Sequence, residues 1–217
     1  MILSTGRQYL FIHAPKTGGT SMALALEARA MKDDVMLGDT PKAVRRRHRL
    51  KDVQTRGRLW KHATLADLDG LVTPQMLAEL FVFTLVRNPW DRVVSYYHWL
   101  RAQSFDHTAV QLAQNLSFHD FVLHPQTRAS LRGSQARHYI TDASGGERCN
   151  LFIRLEHLAT DIAPLEAHLG FALDLPHANR SSRDVGYRGY YTPDSQAAVA
   201  EACTDDIERF RYSFDPA

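Results

Sequence analysis

One stretch near the start of the chain, His13-Ala14-Pro15-Lys16-Thr17-Gly18-Gly19-Thr20-Ser21, combines residue types that can hold an anion. Paired glycines let backbone N–H groups approach an oxyanion closely, and a helix beginning there adds partial positive charge. Lys16 supplies a full charge, while Thr17, Thr20 and Ser21 add hydroxyl donors. The pattern reads as a phosphate cradle; the plainer alternative is a strand-to-helix turn with a solvated lysine. It is not a Walker loop, which places its lysine after the glycines, and no acid-ended strand offers a magnesium site. A second cluster follows about seventy residues later. Arg87 stands where an apolar run ends, and Ser95 comes eight residues on, a little over two helical turns. An arginine fork and a hydroxyl so placed could clamp a second phosphate.

These groups need elements to position them. Tyr9-Leu10-Phe11-Ile12-His13 reads as a buried strand, broken by Pro15 and the glycine pair. Thr20 or Ser21 is expected to cap a helix running to about Met31. From Lys32 to Arg58 the periodicity dissolves and the chain turns basic, above all from Arg45 to Lys51. That segment reads as mobile or substrate-facing, or equally as a solvated stretch. Pro74 precedes a short helix ending near Leu80. Phe81 to Val86 is apolar on both faces, as in the middle of a parallel sheet. Asn88-Pro89 then turns into a helix from Asp91 to Leu100, with Asp91 and Arg92 capping or pairing locally. A third strand is expected at Leu151 to Arg154, a helix at Ile162 to Leu169, and a last helix opened by Thr192-Pro193. Phe210, Tyr212 and Phe214 are expected to pack that helix onto the sheet. Alternating strands and helices predict an α/β fold, a central parallel β-sheet flanked by helices, with a P-loop-like donor site in a single domain over residues 1–217.

A chain of 217 residues can bury a core without metal or disulfide staples. Its net charge of +2 is too small to argue for nucleic acid. Cys149 and Cys203 lie far apart and read as buried thiols of a reducing compartment. No run approaches the length of a membrane span, and no basic-then-apolar leader opens the sequence. The expectation is a cytoplasmic protein, either a bacterial enzyme or a trimmed catalytic domain. Oligomeric state stays open.

Lys16 to Ser21 resembles the 5′-phosphosulfate loop of sulfotransferases that use 3′-phosphoadenosine 5′-phosphosulfate (PAPS). Thr84-Leu85-Val86-Arg87-Asn88-Pro89-Trp90-Asp91-Arg92-Val93-Val94-Ser95-Tyr96-Tyr97 resembles their 3′-phosphate motif. Both are most similar to the carbohydrate branch, which includes heparan sulfate 2-O-sulfotransferase and the chondroitin sulfotransferases. The resemblance implies that Lys16 contacts the 5′-phosphosulfate, with Thr17, Gly18, Gly19, Thr20 and Ser21 supplying donors around it. It implies that Arg87 and Ser95 grip the 3′-phosphate, with no metal required. A fainter likeness covers Asn179, Ser181, Ser182, Arg183, Tyr187 and Arg188; Arg183 is there either a further 3′-phosphate contact or a surface arginine.

The transfer also needs a proton acceptor, and histidine suits that role near neutrality. Of eleven histidines, His62 lies between the two motifs, where the 2-O-sulfotransferase branch carries its base. His13 is expected to support loop geometry. Glu27 is the alternative base, because other branches place a glutamate on the helix after the loop. Arg132, Gln135, Arg137 and His138 are candidates for the acceptor cleft, and Tyr96, Tyr97 and Trp99 read as packing residues more than a sugar platform. His119 and His124 read as a helix face, not a ligand set. A nucleotide phosphotransferase and a non-catalytic anion- or glycan-binding module remain the rival classes.

Overall fold

Strand formation follows the apolar runs, and the longest of them forms the middle of the sheet. The computed structural model describes residues 1–176 and 186–215. In chain order the elements begin with β1 (Ile2–Ser4), β2 (Tyr9–Ile12), α1 (Gly19–Ala28), β3 (Val35–Met36) and α2 (Pro41–Arg46). Then come α3 (Pro74–Glu79), β4 (Phe81–Val86), α4 (Pro89–Arg101), α5 (Thr108–Asn115), α6 (Phe118–Leu123), α7 (Pro125–Arg132) and α8 (Ala136–Ile140). The remainder are β5 (Leu151–Arg154), α9 (Leu158–Asp161), α10 (Ala163–Leu169), α11 (Pro193–Ala202) and α12 (Thr204–Phe210). The chain divides into two compact units, one of residues 1–86 and 136–176, the other of residues 87–135 and 186–215.

The first unit carries a five-stranded sheet in the order β3-β1-β2-β4-β5. β2 pairs parallel with β4, and β4 with β5, whereas β1 runs antiparallel to β2 and β3. The three strands expected from sequence are thus the parallel ones. The hairpin partner Ile2–Ser4 went unread because three residues show no period. Phe11 and Phe83, both fully buried, stack across the β2–β4 pair with centroids 5.2 Å apart. Met22 and Leu26 of α1 and Leu165 of α10 pack on one face of this sheet. Leu65, Leu68 and Val72 join Leu10, Ile12 and Val82 in a second cluster.

The second unit is helical. Trp90, Val93, Val94 and Tyr97 of α4 pack with Phe118, Phe121, Leu131 and Val199. Thr192 and Ser195 form a reciprocal capping box on α11, as the Thr192-Pro193 signal predicts. The aromatics near the end of the chain pack on helices: Phe214 meets Trp90, Tyr187 and Tyr191, and Tyr212 joins the same cluster.

The segment from Lys32 to Arg58 holds β3, α2 and a 3-10 turn at Arg47–Leu50, with Arg46, Arg47 and Arg49 donating to backbone carbonyls. One further expectation is corrected. Helix α1 is capped by Gly18, with no side-chain cap bond, so neither Thr20 nor Ser21 caps it; both lie within its first turn. Both cysteines are free thiols; Cys203 is buried and Cys149 partly exposed.

Candidate active site

The loop 13–18 leaves the C-terminal end of β2, the edge at which open α/β sheets hold ligands. Its backbone is strained. Lys16 has φ 64, a left-handed conformation that costs a residue with a Cβ of order 1 kcal/mol, and Gly18 has φ 88. The buried Thr17 hydroxyl donates to the Ala14 carbonyl at 2.9 Å, closing the turn from within. Thr17 thus staples the loop with the hydroxyl proton that the sequence reading had offered to an anion. Gly19 is required for space: a Cβ there would lie 2.1 Å from Cδ2 of His13. Beyond it, the first N–H groups of α1 have no acceptor within their own helix, as at any helix start.

His13 fills that space as a packed, buried ring. It stacks on Phe11 at 5.7 Å and touches His62 edge-on at 4.6 Å. Its carbonyl oxygen lies 2.7 Å from Nδ1 of His62. A carbonyl can only accept, so Nδ1 carries the hydrogen and Nε2 keeps its lone pair. Burial depresses both imidazoles, His13 well below the ordinary histidine range and His62 to about 4. His62 is therefore a neutral ring with a fixed tautomer.

Glu27 is buried on α1 and has a different task. Its Oε1 accepts from the backbone N of Lys42 at 2.9 Å, and Lys42 Nζ donates to the Glu27 carbonyl at 2.6 Å. The carboxylate thus sits at the start of α2 and the ammonium at the end of α1, each favoured by the helix dipole it meets. Oε2 of Glu27 is buried without a hydrogen-bond partner.

A cleft of about 270 Å³ opens beside the loop, lined among others by His13, Thr20, Leu24, Asp39, Ala43 and Lys61. Lys61 and Asp39 pair across it at 2.6 Å, which holds the Asp39 carboxyl below its usual range. Sequence reasoning missed Asp39 and the cleft, because nothing in the basic stretch marks a wall. It also missed Leu155, whose side chain lies where a Gly18 Cβ would go.

In the helical unit, Asn88 caps α4, its Oδ1 accepting from Trp90 N at 3.1 Å. Arg87 is gripped by Asp91, with Nε and Nη2 at 2.8 and 2.6 Å from Oδ2. Arg92 donates to the Ser134 carbonyl, and Asp91 pairs with Arg87, one turn before it. Ser95 is buried on α4, two turns further on. Arg132 pairs with Glu201 and Arg137 with Glu147, while Gln135 accepts from Asp206 N. Those side chains are occupied by structural partners. Tyr97 is core, whereas Trp99 is exposed. His119 bonds Thr192, and His124 caps α7. Among the described residues no group of three His, Cys, Asp or Glu side chains could hold a metal, and no helix is long and apolar enough to cross a membrane. Arg183, with Asn179, Ser181 and Ser182, lies outside the described residues.

The sequence model of the Sulfotransferase family matches residues 1–213. The chain belongs to the sulfotransferase family. No curated protein sequence matches it. Among solved structures it is similar to mouse sulfotransferase SULT7A1 complexed with PAP, at 16% identity over 94% of this chain and 85% of that one, with a TM-score of 0.48. As a sulfotransferase the chain takes its sulfuryl group from PAPS.

Two outcomes follow for this sulfotransferase. Gly19→Ala must displace the His13 ring and should lower unfolding free energy by about 1–3 kcal/mol, read from urea melts. The depressed imidazoles make the unfolded chain bind protons that the native one refuses between about pH 6.5 and 4. Stability is therefore complete above about pH 6.5 and falls as pH drops toward 4. Melts at stepped pH should show that slope, reduced in His62→Gln.

Proposed function

We propose that the chain transfers the sulfuryl group of PAPS to a carbohydrate hydroxyl, with Lys16, Arg87 and Ser95 holding the donor and His62 removing the proton. Lys16 neutralises the bridging oxygen as its bond to sulfur breaks. Backbone and hydroxyl donors of Gly18, Gly19, Thr20 and Ser21 surround the 5′-phosphosulfate, with Thr17 shaping their loop. Arg87 and Ser95 take the 3′-phosphate, and Arg183 adds a further contact. The acceptor oxygen bonds sulfur, its proton passes to Nε2 of His62, and adenosine 3′,5′-bisphosphate leaves. Fixed charges and dipoles, not reorganising ones, supply most of the rate.

The observation that carries this reading is the bond from His62 Nδ1 to the His13 carbonyl. It leaves a lone pair on Nε2, on a residue one ring contact from the glycine loop. Glu27 is the weaker base, because one oxygen already caps α2. A carbohydrate acceptor is supported by the motif resemblance and by the charged, hydrogen-bonding pair Lys61–Asp39 on the cleft wall.

Calorimetric titration of adenosine 3′,5′-bisphosphate and ADP, without added metal, tests the donor half. Preference for the bisphosphate, lost in Arg87→Ala, is the expected outcome; equal affinity for both would overturn it. His62→Ala should keep bisphosphate affinity while kcat falls by about 10²–10⁴.

A further inference from the structure

Among the described residues Trp60 is one of the few large apolar side chains that are exposed, at 42%. Its indole stands perpendicular to the His62 ring, with centroids 5.1 Å apart. It is the outer end of a continuous row of rings: Phe83, Phe11, His13, His62 and Trp60. The inner four are held by the sheet and by the His13–His62 bond, so the orientation of the outermost ring is inherited from the core. Arg58 places its guanidinium over one face of the indole, 5.8 Å from its centroid, which leaves the opposite face for a ligand. Lys61, the next residue, lines the cleft that reaches Thr20 of the glycine loop.

An exposed indole is a costly way to cover a histidine, since a smaller apolar group would bury the same edge with less apolar surface left in water. It is an effective way to hold a ring, because stacking on a rigid aromatic face loses little side-chain entropy. We propose that Trp60 is the acceptor platform, stacking on the apolar C–H face of a pyranose whose hydroxyl is delivered to Nε2 of His62. This rests on the reading of His62 as base and of a carbohydrate as acceptor. Arg58 adds a cation at the platform, so a pyranose bearing a carboxylate should be held better than a neutral one.

The test uses the full chain with radiolabelled PAPS and methyl glycosides of glucose, N-acetylglucosamine and glucuronate, with 2-naphthol as a ring acceptor that is not a sugar. For the best pyranoside, Trp60→Ala should raise KM about tenfold and leave kcat within about twofold. Trp60→Phe should restore most of the loss, and bisphosphate affinity should be unchanged in both. An unaltered KM overturns the platform and leaves the carbohydrate reading standing. A fall in kcat alone also overturns it, since Trp60 would then only position His62. Sulfation of 2-naphthol but of no pyranoside, or of nothing in the set, overturns the carbohydrate reading and the platform with it. Where 2-naphthol is sulfated, His62→Ala in that assay decides separately whether the base assignment stands.

Discussion

The close approach of the His13 ring to Gly19 is the constraint around which the candidate site is built. A ring that leaves no room for a Cβ must be opposed by glycine, and glycine at that point lets the chain turn from β2 into α1 with its first N–H groups facing the loop. The same residue uses its carbonyl to orient His62, and its stacking on Phe11 ties both to the buried sheet. Loop shape and histidine tautomer are thus two results of one packing contact. Preorganisation of this kind costs nothing at the moment of reaction, because the burial of Phe11 and Phe83 has already covered it during folding.

Much of this was legible in the residues. Phe81 to Val86 declared itself as the central strand because both faces are apolar, and its bounds were read without error. The loop between β2 and α1 was legible because Pro15 and the paired glycines interrupt the apolar run. The family followed from that loop and the Arg87 to Ser95 segment together, and the match over residues 1–213 bears it out.

What stayed hidden depends on contacts between distant positions. Asp91 could be seen to pair locally, but its grip on Arg87 needs the geometry of the first turn of α4. Helix α2 escaped notice because its six residues hold one buried side chain, Ala43, and its stability comes from Glu27 and from arginines donating to carbonyls. The pairing of Arg132 with Glu201 spans 69 positions, which no local pattern in the sequence shows.

The exchange between Glu27 and Lys42 has a dynamic consequence. Each residue closes the end of the other's helix, so separating α1 from α2 exposes an amide and a carbonyl together and strands a carboxylate already short of one partner. Local opening is costly when it uncovers several polar groups at once. The two helices therefore breathe as a single cooperative unit. The amide of Lys42 should therefore exchange with solvent at the pace of the helix that follows the glycine loop, not at the pace of the basic turn after α2.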